Sequence, residues 1–266
     1  MLRRALRSIA AQQYAGPLEI VVVFDQSPID PLEDLRTELP PSVILNTCGN
    51  DRAAGLAGAR NTGIARAAGT LIAFCDDDDE WTPHKLTAQV ALWRERPDAA
   101  VIACGISIVT LEGTVDRRPP MLTTREDLLR SRVGELHPSS FLFRRTDLLA
   151  LPGGVDESIP FGYGEDYDFL LRVTERGPIA SVPHELVIVH WDRDSYFAGR
   201  WERMAEGLSY LVAKHPDLLH DDRNAGRMCG QVAFAYAAAG EQGAARPGRV
   251  APSPTGPSSR GRGSRC

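Results

Sequence analysis

The residues best equipped for chemistry form an unbroken run of five acids, Asp76-Asp77-Asp78-Asp79-Glu80, directly after the apolar stretch TLIAFC. Adjacent carboxylates repel one another, and a carboxylate at a buried strand end is costly unless paired or metal-bound. A hard divalent cation relieves both costs, because Mg²⁺ and Mn²⁺ bind through carboxylate oxygens and substrate phosphates. The alternative is a solvated acidic turn that caps the helix after Trp81. A second acidic group, Glu165-Asp166, opens the segment GEDYDFLLR below a Gly/Pro-rich loop. A carboxylate presented there could take a proton from an attacking hydroxyl, or could simply charge a helix N-terminus. Asp25 closes the run LEIVVVF, and Arg60-Asn61 lie in a small-residue segment. Taken singly, these three read as a turn former, a surface charge and a cap.

The elements that must position these groups follow from hydrophobic pattern. Apolar runs at 18–24, 42–46, 70–75 and 99–109 read as strands, and 2–13, 31–39, 55–69 and 84–96 as the helices between them. That alternation indicates an α/β fold with a mostly parallel sheet flanked by helices. In such sheets ligands collect outside the carboxyl ends of the strands, where Asp25 and Asp76 fall. Beyond 109 the rhythm loosens: a helix at 124–132, a strand at 139–144, a loop at 151–164, a helix at 165–176, strands at 179–182 and 185–191, and helices at 195–214 and 224–239. No strand precedes the first helix.

Composition bounds the function classes. The 266 residues are 43% hydrophobic and 24% charged, which excludes wholesale disorder. No apolar stretch approaches the ~18 residues of a membrane helix, so no integral membrane segment is expected. The formal net charge of −5 argues against general nucleic-acid binding. It conceals a basic tail, because 244–266 holds five Arg and no acid, leaving −10 on residues 1–243. That tail is expected to be disordered. Five widely spaced cysteines contain no C-x-x-C pair, which fits a reducing cytoplasm.

Four segments together, LRRALRSIAAQQY, LEIVVVFDQS, GLAGARNTGIARAAGTLIAFCDDDDEWTPHKL and FGYGEDYDFLLRV, resemble the family 2 glycosyltransferases of the GT-A fold, over about residues 2–200. The resemblance implies a GT-A (Rossmann-like) sheet with a C-terminal helical extension. It divides the chain into a nucleotide-sugar-binding half (1–112), an acceptor and catalytic half (113–200), C-terminal helices (201–243) and the tail (244–266). It implies that Asp76 and Asp78 match the DxD acids holding Mg²⁺ or Mn²⁺ against a donor diphosphate. Asp25 matches a base- or ribose-contacting acid, with Arg60 and Asn61 lining the same pocket. Asp166, beside Glu165, matches the general base. The implied partners are a nucleotide-sugar donor, UDP-sugar by default, and a saccharide, lipid-linked or small-molecule acceptor. The implied reaction is an inverting single displacement, in the cytoplasm or peripherally at the inner face of the membrane. The family's first strand has no counterpart before residue 2, so the resemblance implies an N-terminal truncation and a sheet short of one strand. The competing reading is therefore a non-catalytic, donor-blind binding domain of the same family. A metal-dependent nucleotidyltransferase or phosphohydrolase would need a Gly/Lys phosphate loop or a two-metal acid-His set, and the sequence holds neither.

Overall fold

A computed structural model describes residues 1–191 and 199–240. The basic tail at 244–266 and residues 195–198 of the helix expected at 195–214 lie outside the described residues. The chain runs α1 (Leu2–Ala10), β1 (Leu18–Phe24), α2 (Glu33–Glu38), β2 (Val43–Gly49), α3 (Leu56–Arg66), β3 (Leu71–Ala73), β4 (Glu80–Trp81), α4 (Lys85–Glu95) and β5 (Val101–Thr110). It continues with β6 (Gly113–Arg117), β7 (Leu122–Thr123), α5 (Arg125–Arg130), β8 (Leu142–Arg144), α6 (Arg145–Leu149), α7 (Glu165–Val173), β9 (Ile179–His190), α8 (Trp201–Lys214) and α9 (Asp222–Ala238). No helix of the described residues is long and apolar enough to cross a membrane.

The α/β class and the flanking helices are as the pattern indicates, and antiparallel strands join the two parallel ladders. Parallel pairing is confined to β1–β2 and β5–β9, and the other pairings are antiparallel. The reason lies after residue 109, where β6 returns on β5 through a tight turn at Leu111-Glu112 instead of crossing over by a helix. The order β3-β8-β5-β9-β4 is built on one long parallel ladder. Each outer edge of that ladder is shared: β8 and β6 divide the edge of β5, and β7 and β4 divide that of β9. β1 and β2 form a separate two-stranded sheet.

The two strands expected at 179–182 and 185–191 are one strand with a bulge. Its register on β5 jumps from Cys104↔Val182 to Gly105↔Glu185. Gly105 makes this possible, because a Cβ there would sit 3.0 Å from the His184 carbonyl oxygen and 3.1 Å from that of Arg117.

Alternation along β5 feeds a core on each face. Val101 and Ala103 join Phe74, Phe143, Phe169 and Leu171. Ile102, Cys104 and Ile106 join Leu6, Ile20, Trp81 and Val187 on the other. A strand buried on both sides must be apolar throughout, which is why 99–109 reads as an unbroken run.

Candidate active site

The acid run folds as a tight turn after β3, closed by the Asp79 amide donating to the Asp76 carbonyl at 3.2 Å. The turn separates the acids by exposure: Asp77 faces solvent, Asp76 and Asp78 are half-buried, and Asp79 is buried. Ser139 secures it from behind. Its hydroxyl accepts from the Asp76 amide at 3.0 Å and donates to Asp79 Oδ2 at 2.5 Å. Asp79 Oδ2 also lies 3.5 Å from His137 Nδ1. Burial pushes the Asp79 carboxyl up to about 7, against the Ser139 hydrogen bond and with help from Asp76. Burial also lowers His137. Asp78 is raised by burial and by the neighbouring Asp77 and Asp76 charges.

Asp76, Asp79 and His137 offer ligand atoms within 4.8 Å of one another, the one group of its kind among the described residues. Asp78 stands outside it and lines the adjoining cleft with Asp76 and Asp77. Two carboxylates and an imidazole suit a divalent cation, and burial disfavours their charge in its absence.

Arg60 joins this turn to the second acidic group. It projects from α3, buried, and forks between Asp76 Oδ1 at 3.2 Å and Glu165 Oε1 at 2.8 Å. Burial opposes its charge, but Asp76 and Glu165 more than restore it. Glu165 is pushed up to about 7, by burial first and then by Asp166, while Arg60 opposes the rise. Asp166 is held differently. Its Oδ2 accepts from Arg132 Nη2 at 2.7 Å, and its Oδ1 accepts from the Tyr167 amide at 2.8 Å. Gly164, in the left-handed region at φ 85°, sets the chain into α7 so that both acids stand in its first turn.

The other two expected donor residues are occupied in bracing loops. Asp25 accepts from Asn50 Nδ2 at 2.8 Å and the Gly55 amide at 2.9 Å, which tie the end of β1 to the loop before α3. Those donors, with Gln26, outweigh burial and hold its carboxyl below the usual range. Asn61 donates to the Val155 carbonyl and to Glu157 Oε1, both at 2.7 Å, and accepts from the Val155 amide at 2.8 Å. It thus fastens the Gly/Pro loop against α3. Gly154 permits this, because a Cβ there would lie 2.4 Å from Asn61 Oδ1.

The structure therefore brings Asp76, Arg60, Glu165 and Asp166 into one connected set, with Asp78 at its rim. Sequence reasoning missed Asp79, Ser139, His137 and Arg132. Asp79 carried a signal as part of the run, whereas Arg132 closes an expected helix and Ser139 opens an expected strand, positions that carry no chemical signal of their own.

Comparison with known proteins gives a consistent answer. Residues 1–150 match the family described as Glycosyl transferase family 2. The uncharacterized glycosyltransferase YwdF of Bacillus subtilis is 30% identical over 218 residues, covering 79% of this chain and 77% of YwdF. Among solved structures, S. aureus TarS 1-349 in complex with UDP-GlcNAc superposes with a TM-score of 0.63 at 16% identity, over 89% of this chain and 68% of that one. The mannosyltransferase PcManGT from Pyrobaculum calidifontis, in complex with GDP-Man and Mn²⁺, gives 0.59 at 21% identity, over 92% and 72%.

Proposed function

This chain belongs to glycosyl transferase family 2, and from that premise we propose that it moves a sugar from a nucleoside-diphosphate donor to an acceptor hydroxyl, with a divalent metal and with inversion. The observation that carries the reading is the Arg60 fork, which couples the acids after β3 to those opening α7. Such a junction suits a donor diphosphate on the Asp76 side and an attacking hydroxyl on the Glu165-Asp166 side. TarS with UDP-GlcNAc and PcManGT with GDP-Man and Mn²⁺ support a nucleotide-sugar donor and a metal. The donor then occupies the half within 1–112 and the acceptor the half within 113–200.

In this reading Asp76 and Asp78 hold Mg²⁺ or Mn²⁺ from the cleft side, and Asp79, Ser139 and His137 fix the turn from behind. When bound, the cation acts as a Lewis acid on the departing diphosphate. Asp166 accepts the acceptor's proton while Arg132 keeps its carboxylate oriented. Glu165 anchors Arg60 beside Asp76, and Asp25 and Asn61 shape the donor end through the loops they hold. A second reading of the metal rests on one observation, the three ligand atoms of Asp76, Asp79 and His137 within 4.8 Å. Mn²⁺ affinities of Asp78→Ala, Asp79→Ala and His137→Ala separate the two: loss only with the first supports the cleft-side pair, and loss with the others supports the inner group.

The test of the whole reading is a panel of UDP- and GDP-sugars with Mn²⁺ or Mg²⁺, followed by nucleotide release with and without acceptors. Asp166→Asn is expected to keep donor binding by calorimetry and to lose about 10²–10⁴-fold in transfer. Turnover that survives both Asp166→Asn and Asp78→Ala would remove the assigned roles. Acceptor binding with no donor binding at all would favour the donor-blind domain.

A further inference from the structure

A cavity of about 240 Å³ lies between the start of α7 and the α8–α9 pair. Its floor is apolar and buried, with Leu208 and Leu211 of α8 and Met228 of α9. Trp201 and Phe234 also line it, their rings nearly perpendicular at 5.4 Å, and Phe234 is 62% exposed. Arg132 links the cavity to the acidic pair opening α7, because it lines the wall and donates to Asp166 Oδ2 at 2.7 Å. The charge of the wall is the reverse of that in the cleft beside Asp76. Asp25, Asp76, Asp77 and Asp78 line the cleft, whereas the described lining of the cavity holds two charged residues, Arg132 and Arg227, and no acid. Arg227 is half-buried on α9 and makes no ion pair among the described residues. Its Nη2 donates to the Leu129 carbonyl at 3.3 Å, and its buried Nε has no hydrogen-bond partner among them. A guanidinium set into an apolar wall without a carboxylate is costly, and an anion in the cavity would offset that cost. The two guanidiniums lie around one ring: burial raises the Tyr167 hydroxyl, and Arg227 and Arg132 both oppose the rise.

We propose that this cavity anchors the acceptor and that its occupant is a lipid phosphate, with the first part of the apolar chain seated between α8 and α9 and the phosphate at Arg132 and Arg227. Size, lining and charge select that occupant. A cavity of about 150 Å³ holds a benzene-sized ring, so one of about 240 Å³ has room for a longer run of chain carbons. A bare sugar is a poor match, since its hydroxyls need amide or carboxylate partners and Gln231 is the one such side chain in the described lining. A phosphate monoester carries about −1.5 to −2 at pH 7, which suits two guanidiniums, and arginine grips such oxygens in pairs. The exposed Phe234 ring continues the apolar track outwards, as a chain longer than the cavity requires. Arg132 then serves both ends, since the guanidinium that holds Asp166 also meets the acceptor's anion. That the occupant is the acceptor rests on the transfer reading above; that the cavity binds an apolar phosphate does not.

The experiment measures binding of decyl phosphate, kept below its micelle concentration, to the 266-residue chain by calorimetry, with decanol and inorganic phosphate as controls. Neither donor nor metal is present, so the cavity is tested whether or not the chain transfers sugar, and an active chain whose cavity stays empty leaves the transfer reading standing. Decyl phosphate is expected to bind at one site at least about tenfold more tightly than either control, because only it engages both the apolar floor and the arginines. Arg227→Gln should weaken it about tenfold or more and bring it towards decanol. Phe234→Ala, at an exposed position where folding is not at stake, should weaken decyl phosphate and decanol alike and leave inorganic phosphate unchanged. Decyl phosphate that binds no better than decanol overturns the proposal. So does binding that both substitutions leave unchanged while the far-ultraviolet spectrum is intact. A stable dimer of the chain that Phe234→Ala dissolves would also overturn it, by assigning the cavity to a second copy.

Discussion

Arg60 is the residue on which the site turns, because one guanidinium serves two carboxylates that arrive from opposite halves of the chain. A lysine carries the same charge but has no planar fork, so it can hold Asp76 or Glu165 but not both with this geometry. Arg60→Lys is expected to reduce transfer at least about tenfold while leaving the fold intact, as steady-state kinetics beside circular dichroism would record. Glu165 makes a second prediction at this scale. Burial and then Asp166 push the native carboxyl up to about 7, against an ordinary value of 4.5. A group whose folded pKa is raised contributes less to stability as pH climbs through that window, since the unfolded chain gives up its proton first. Tm measured from pH 4.5 to pH 7 should therefore carry a downward component that Glu165→Gln removes. A pH profile unchanged by that substitution would show that Arg60 keeps Glu165 ionised throughout. The acids themselves were legible in the sequence, because five in a row after an apolar strand have few uses. Arg132 and Ser139 were not, since an arginine closing an expected helix and a serine opening an expected strand look the same whether or not something lies opposite them.

At the scale of elements, two buried ionic groups sit on helices, one opposed by its burial and one held by its partners. Lys85 opens α4 fully buried, with its ammonium 3.9 Å from the Trp81 ring centroid and donating to Gln89 at 2.9 Å. Burial lowers it to about 8 from 10.5. The native state therefore sheds its proton before the unfolded state does, and stability gains with pH between those values. Lys85→Met is expected to raise stability at pH 7 by about 2 kcal/mol and to flatten that alkaline gain, both measurable by urea unfolding. Asp168 on α7 is the opposite case. It is fully buried and meets Lys214, His215 and Arg172, each at 2.7 Å. These partners overcome burial and hold it near 2, against 3.8. Its contribution is present above 3.8 and fades as pH falls towards 2. Asp168→Asn should cost about 3 kcal/mol at pH 7, loosening α7 from the end of α8. The helices and long strands were readable from their periods, and most observed bounds lie within a few residues of the expected ones. The short antiparallel strands were not: β4, β6 and β7 have two to five residues each, too few to display a period. Their pairing is decided by which edge of β5 or β9 remains free, and no local pattern records that.

For the whole molecule, the division of the sheet into two parts sets what a ligand must do. On the proposed reading, a donor and cation would lie against both parts, beside Asp25 after β1 and Asp76 after β3, so binding should stabilise them together. At a free donor concentration near 100 Kd with Mn²⁺ present, the gain is about 2.7 kcal/mol, or about 5–10 °C in Tm, and chelation of the metal should abolish most of it. No shift with any nucleotide-sugar would mark the donor-blind alternative.

The bulge opposite Gly105 bears on how the chain reaches this arrangement at all. The β5–β9 ladder joins segments more than seventy residues apart, a distant pairing of the kind that closes late and invites errors of alignment. The partner strand carries its extra residues at Pro183-His184, and β5 has one position without a side chain to receive them. Sliding the strands by a residue or two would drive the His184 carbonyl into the side chain of Cys104 or Ile106. Gly105 thus works like the notch of a key. It accommodates the observed alignment, and with both cores hung on β5, that one position bears on the registration of each face.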